Sequence, residues 1–289
     1  MNKDSVLGMI VGCAVGDALG APYDFMRRED VTFTSESDMI SGGTHDVDVG
    51  EWTDDTALML AAAEAYIEKG KFDAGAVADN FKLWRNTGKF GTRDYAFDIG
   101  KTTADAIDYM THERPYAGSA SAGSSGNGSL MRIAPAIAAN HNNMYAAIGE
   151  SVALALMTHG NHDTVHHISA FVAELFCGKT PEFRHLRHWD INITNGATRS
   201  IMHSYNAAWY GFHYGQTFDG AMDEVIRLGG DTDTNAAITG MLVGARVGYS
   251  NIPKRWLDKL NQHEKIVGIA TKLYEIGEAS CKYKKFSKD

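Results

Sequence analysis

The sequence predicts an all-α fold in a single domain spanning 1–289, and three observations predict it. Proline is scarce, 5 in 289 residues, about a third of average usage. Long helices accept that composition, whereas a sandwich with a turn every ten residues does not. Apolar residues recur at helical spacing in one segment after another, while no stretch sustains the alternation of a half-buried strand. Finally, no repeat of fixed period and no linker divides the chain.

Taken in order, the first helix is expected over 5–20, SVLGMIVGCAVGDALG, apolar all round and therefore buried. Gly8, Gly12, Gly16 and Gly20 fall four apart within it. Each interior glycine costs about 0.5–1 kcal/mol against alanine, so four together imply close helix–helix contact. Gly240, Gly244 and Gly248 repeat the spacing. The two striped helices are expected to pack closely, each being the candidate partner of the other. Residues 53–69 form a helix closed by Gly70 as a C-cap, and 73–84 form an amphipathic one. A glycine-rich loop fills 86–100 and a helix follows at 102–110. The segment 119–129, SAGSSGNGS plus its flanks, is a loop flexible enough for backbone contact with a ligand. Helices are expected at 130–140, 144–158 and 164–177, then an irregular polar loop at 179–196. Two more follow at 197–212 and 220–228, and Gly229-Gly230 turns the chain into the second striped helix. The basic tail 282–289 is expected to fray.

Composition removes several classes of function. With 44% apolar and 22% charged residues the chain is not disordered. Its net charge of −9 opposes non-specific nucleic-acid binding and polybasic membrane anchoring. Cys13, Cys177 and Cys281 make no spaced pair, which excludes a disulfide scaffold or zinc ribbon and makes a reducing cytosol the default. No signal pattern opens the sequence and no apolar run reaches about 18 residues, so a cytoplasmic protein without membrane contact is expected.

Two acidic clusters carry the chemistry. Thr53-Asp54-Asp55-Thr56 opens one helix and Asp231-Thr232-Asp233-Thr234 opens another. Either alone reads as an N-cap with dipole-favoured carboxylates. Capping needs one side-chain oxygen, however, and each cluster stacks two carboxylates and two hydroxyls in four residues. Brought together, four carboxylates repel unless a cation neutralises them. Carboxylate and hydroxyl oxygens select hard ions such as Mg²⁺, Mn²⁺ or Ca²⁺. Zinc would want His or Cys at defined spacing. His162 and His166 are four apart but lack the HExxH glutamate, and read as surface residues or as supports behind a site. An EF-hand loop from Asp231 fails, with Ala236 in place of its glycine and Leu242 in place of its glutamate.

The blocks GCAVGDALGAPYDF (12–25), EWTDDTALML (51–60), FDIGKTT (97–103), GNGSLMRIAPA (126–136) and GGDTDTNAAITGMLVGA (229–245) together resemble the ADP-ribosylglycohydrolase family. They occur in family order and span most of the chain. The resemblance implies an orthogonal helical bundle with a binuclear Mg²⁺ or Mn²⁺ centre. Its activity would be hydrolysis of the glycosidic bond between ADP-ribose and an acceptor on a protein or small molecule. It implies Thr53, Asp54, Asp55, Asp231, Asp233 and Thr234 as metal ligands. Gly126, Asn127, Gly128 and Ser129 would hold the ADP-ribose phosphates, glycines letting backbone N–H groups approach an anion ahead of a helix at Leu130. The alternative for that loop is a flexible surface turn. His159 would contact ADP-ribose, and Asp98 and Gly100 would lie in the substrate-side loop. Asp24, Asp55 and Asp233 are the candidate acid/base carboxylates, with Asp24 standing where the family usually carries a glutamate, one methylene longer. Asn161 stands where an acidic residue is frequent.

Asp98 also bears on the acceptor. An arginine leaving group is a planar cation suited to a carboxylate, whereas a serine acceptor offers no charge there. Arginine is thus the expected acceptor, unless Asp98 merely caps the helix that follows. Serine, a nucleobase or a small molecule are the alternative acceptors, and a silent ADP-ribose binder is the non-enzymatic one. A nucleoside N-ribohydrolase would need an alternating strand–helix pattern, which is missing.

Overall fold

The structure is a computed structural model and describes residues 1–178 and 199–286. The expected irregular loop at 179–196 and the last three residues of the tail lie outside the described residues. Among those described there are twelve α-helices and no strand, only isolated bridges. The helices are α1 Lys3–Gly20, α2 Asp54–Lys69, α3 Ala74–Thr87, α4 Lys101–Tyr109, α5 Ala134–Ala139, α6 Met144–Leu156, α7 His162–Cys177, α8 Ile201–Tyr214, α9 Phe218–Ile226, α10 Thr232–Val247, α11 Lys254–Leu257 and α12 His263–Phe286.

The centre of the molecule is the pair α1 and α10, and the glycine stripes pack on each other. A Cβ on Gly12 would run into the carbonyl of Gly240, and one on Gly240 into that of Gly12. Gly8 and Gly244 exclude each other's Cβ in the same way. The pair runs antiparallel, so the end of α1 meets the start of α10: Thr232 Oγ1 donates to the Gly20 carbonyl at 2.8 Å. Beyond α1 the chain stays tied there, with Phe25 N–H donating to Gly230 O at 2.7 Å and Gly230 N–H to Met26 O at 2.9 Å. Residues 20–26 are thereby fixed beside the acidic start of α10.

α1 is apolar enough over Lys3–Tyr23 to cross a membrane by length and composition, a qualification to the reading that no run is long enough. In the structure 94% of that window is buried, as an all-round apolar core helix should be. Packed on it are α10, α12, α2 and α5.

Most element bounds shift by one to four residues from expectation, and two of the shifts have a clear physical reason. The helix expected at 130–140 begins only at Ala134, because Pro135 sits in its first turn, where its missing N–H and fixed φ are tolerated. Residues upstream form a 3₁₀ turn, Asn127–Ser129, with Leu130 N–H bonded to Asn127 O at 2.7 Å. Helix α7 starts two residues early because Asn161 caps it, its Oδ1 accepting from Thr164 N–H at 3.0 Å. Helix α12 was not signalled, and it carries on to Phe286, so residues 282–286 continue a helix instead of fraying.

Candidate functional site

Both acidic clusters do open helices, yet neither caps its own. Thr53 and Asp231 occupy the N-cap positions of α2 and α10 with no side-chain capping bond. The cap of α2 comes from Asp17 of α1. Its carboxylate accepts from Thr53 N–H (3.0 Å), Thr53 Oγ1 (3.0 Å), Thr56 N–H (3.0 Å) and Thr56 Oγ1 (2.6 Å). Asp54 and Asp55 are thus freed from capping and held at the centre of the molecule. Asp17 is a residue that sequence reasoning missed. Its signal was present: it is the one charged residue in an otherwise apolar stretch, 5–20.

The two clusters meet. Thr53 Oγ1 lies 3.3 Å from Asp55 Oδ2 and 3.5 Å from Asp233 Oδ2, and Thr234 Oγ1 lies 3.4 Å from Asp55 Oδ2. Carboxylate oxygens of Asp24, Asp231 and Asp233 fall within 4.8 Å of one another. Asp24, Asp54, Asp55, Asp231 and Asp233 are all at most 6% exposed. Burial, followed by neighbouring carboxylates, pushes Asp54, Asp55 and Asp233 well above the usual range. Burial raises Asp231 too, although a bond from Asn127 opposes it. Asp24 is pushed up to about 7 by burial, against the pull of His45. Asp17, despite its four donors, is pushed by burial to about 6. His45, Arg132 and Arg199 are the cations that act on this floor. Both oxygens of Asp24 and Oδ1 of Asp55 are buried without a hydrogen-bond partner. Unpartnered buried carboxylate and hydroxyl oxygens are the donor set of a hard divalent cation.

Above this floor opens a cavity of about 740 Å³, lined by Asp54, Asp231, Asp233 and Thr234 below and by Asp98, Gly100, Gly126, Asn127, Gly128 and His159 at its sides. Thr53, Asp55 and Asp24 sit beneath or beside the lining. Ser129 is fully buried and faces inward, its Oγ donating to Gly126 O at 3.0 Å. Asn127 also turns inward: its Nδ2 donates to Asp231 Oδ2 at 2.6 Å and to Ser204 Oγ at 2.9 Å. That amide orients Asp231, leaving backbone and glycines on the cavity side. The helix expected at Leu130, and its dipole, are absent from this loop; the 3₁₀ turn takes their place.

The glycines at 126 and 128 are explained by His159. A Cβ at Gly126 would lie 3.0 Å from His159 Nε2 and one at Gly128 3.3 Å from its Cε1. Gly100, in contrast, has nothing within 4 Å of a Cβ. Burial and then Arg132 push His159 down to about 3, so the ring is neutral. Thr158 Oγ1 accepts from Arg132 Nη2 at 2.5 Å and lies 2.8 Å from His159 Nδ1. The ring's Nε2 lies beside Gly126 and Gly128. Arg132, buried and stacked over Phe81 at 5.3 Å, also donates to Gly128 O and so braces the loop. Sequence reasoning missed it because it stands in a turn without periodic pattern.

Asp98 does not cap α4. The N-cap is Gly100, without a side-chain bond, and Asp98 itself adopts the left-handed φ of 60°. Its Oδ1 lies 2.8 Å from His45 Nε2, which is also 3.5 Å from Asp24 Oδ2. The two acids, first Asp24, push His45 up to about 9. His45 is the third missed residue, a loop histidine that no spacing betrays. His162 and His166 are exposed on α7, as expected.

The sequence profile of the ADP-ribosylglycohydrolase family matches residues 2–180 and 181–282. The ADP-ribosyl-(dinitrogen reductase) glycohydrolase of Rhodospirillum rubrum is 30% identical, over 89% of this chain and 90% of its own. The ADP-ribosylarginine hydrolase Tri1 of Serratia proteamaculans is 28% identical, over 94% of this chain and 80% of its own. A solved structure described as an ADP-ribosylglycohydrolase-related protein complex is 29% identical, covers 95% of this chain and 98% of its own, and superposes with a TM-score of 0.77.

Proposed function

The chain belongs to the ADP-ribosylglycohydrolase family, a family of hydrolytic enzymes, and from that premise we propose that it is a divalent-cation-dependent hydrolase releasing ADP-ribose from arginine on a modified protein or small molecule. The observation that carries the reading is the floor of buried carboxylates with unpartnered oxygens beneath a cavity of about 740 Å³. That volume lies inside the range of small-molecule sites, about 300–1,000 Å³.

Asp24, Asp54, Asp55, Asp231 and Asp233, with the hydroxyls of Thr53 and Thr234, would hold two hard cations, Mg²⁺ or Mn²⁺. Such ions supply Lewis-acid polarisation and a template for sugar hydroxyls. The rest falls to the chain's own groups. Gly126 and Gly128 let the backbone approach the pyrophosphate, and His159 Nε2 lies beside them. Asn127 keeps Asp231 in place. Asp24, buried beside Asp231 and Asp233, is the candidate to move the proton at the glycosidic nitrogen or at the attacking water. Asp55 and Asp233 are the alternative carriers. Asp98 has one oxygen against His45 and the other, Oδ2, buried without a partner, an acceptor left for a guanidinium. Two relatives, from Serratia proteamaculans and Pseudomonas putida, bear the name ADP-ribosylarginine hydrolase, which supports the same acceptor.

The test is incubation with arginine-, serine- and nucleobase-linked ADP-ribose, with Mg²⁺ or Mn²⁺ and with a chelator, following released ADP-ribose. Release from the arginine conjugate, lost on chelation, is expected. Faster release from the serine conjugate, or release that chelation does not touch, would sink the reading. Asp98→Asn should slow arginine-conjugate turnover by more than about tenfold, ~1.4 kcal/mol of lost transition-state binding, with little change in melting temperature.

A further inference from the structure

Asp24 and Asp98, which the proposed hydrolysis uses, converge at the edge of the cavity with His45, which it does not. One donor atom from each lies within 4.8 Å of the other two. His45 Nε2 stands 2.8 Å from Asp98 Oδ1 and 3.5 Å from Asp24 Oδ2. Four-coordinate donors about 2.0–2.1 Å from an ion are separated by roughly 3.3 Å, a value these distances bracket. His45 Nε2 pairs in charge with both acids, yet His45 Nε2, both Asp24 oxygens and Asp98 Oδ2 are buried without an aligned hydrogen bond. The Asp24 side chain is wholly buried and that of Asp98 is 11% exposed. Donors close in distance but not aligned on one another are arranged as ligands of a common ion are.

We propose that Asp24, His45 and Asp98 form a second cation site, distinct in chemistry from the all-oxygen floor, that takes a borderline transition ion such as Zn²⁺. The imidazole nitrogen makes the difference, since nitrogen with carboxylate favours zinc over magnesium, whereas oxygen alone does not. The three residues come from separate loops, at 24, 45 and 98, so an ion there would pin them together at the mouth of the cavity. Asp24 is common to this trio and to the group with Asp231 and Asp233. Zinc held by the trio would compete with the floor for Asp24 and slow hydrolysis. That last consequence rests on the function proposed above, whereas the binding itself does not.

The experiment is titration of the full chain with Zn²⁺ under saturating Mg²⁺, following heat and bound metal. Wild type should take up one Zn²⁺. Even outer-shell partners of a metal site are worth about 10–100-fold in affinity, so His45→Gln, removing a direct ligand, should weaken zinc by about tenfold or more. Asp98→Asn should do the same, which keeps the test sound if either variant fails to fold. Asp54→Ala, on the floor, should keep its zinc. Zinc uptake unchanged in folded His45→Gln and Asp98→Asn overturns the proposal. So does zinc lost in Asp54→Ala but kept in His45→Gln, or no zinc bound by wild type, which makes the trio a salt bridge only. Hydrolysis without zinc, measured with and without Mg²⁺, reports on the floor separately.

Discussion

Asp17 makes the start of α2 what it is, by accepting four hydrogen bonds from a neighbouring helix. Asp17→Asn keeps the shape but replaces one acceptor oxygen with a donor facing donors. A loss of about 1–3 kcal/mol in denaturant unfolding is expected, the cost of buried groups left unsatisfied. Asp54→Ala and Asp233→Ala should behave in the opposite way. Each relieves crowding among carboxylates that burial has already pushed up. The metal-free variants should melt no lower than wild type while turnover disappears, and near-normal turnover in either would show that the floor is not the site. His159 gives the pH dependence. Its folded value of about 3 lies below the ordinary 6.5, so the native ring refuses a proton that the unfolded chain accepts. The stability this confers is complete above pH 6.5 and falls as the pH drops toward 3. Melting curves of wild type and His159→Gln between pH 7.5 and 5 should therefore converge on acidification. A constant gap between them would count against a neutral His159.

At the scale of elements, the same substitution should have opposite signs in different helices. Gly12→Ala in α1 drives a methyl into the Gly240 carbonyl, and overpacking of that kind costs about 1–3 kcal/mol. It should also reduce turnover, because α1 and α10 together set Asp24 beside Asp231 and Asp233. Gly268→Ala in α12 meets nothing within 4 Å and should stabilise by about 0.5–1 kcal/mol. Thermal melts of the two variants check both signs. Much at this scale was legible in the sequence because it is local: apolar period, glycine spacing, Gly70 as C-cap and the acidic helix starts. The late start of α5 was legible in principle from Pro135. Capping was the rival reading at Thr53 and at Asp98, and neither caps its helix; what sequence adjacency hid is that the acceptor for α2, Asp17, comes from another helix. His45 and Arg132 were not legible, for a loop histidine and a turn arginine acquire meaning only through partners far along the chain.

At the scale of the whole molecule, the cavity gathers residues from 25 to 234, so its ligand stabilises only the assembled chain. ADP-ribose at about a hundredfold excess over its dissociation constant should add about 2.7 kcal/mol, and more with Mg²⁺ or Mn²⁺ present. Differential scanning fluorimetry at millimolar ADP-ribose checks this, and an unmoved midpoint would argue against an ADP-ribose site. The central helix pair has one more consequence, for the chain as it is being made. α1 leaves the ribosome early, whereas α10 follows more than two hundred residues later. At about 5–20 residues per second, α1 waits roughly ten to forty-five seconds for its partner. Throughout that interval the nascent chain displays an apolar helix that, by length and hydropathy, resembles a membrane span. Ribosomes stalled before α10 should therefore carry chains that sediment with membranes or with holdase chaperones, and full-length released chains should not. The glycine stripe that lets the two helices meet backbone to backbone thus also fixes when, during synthesis, the protein becomes safe from aggregation.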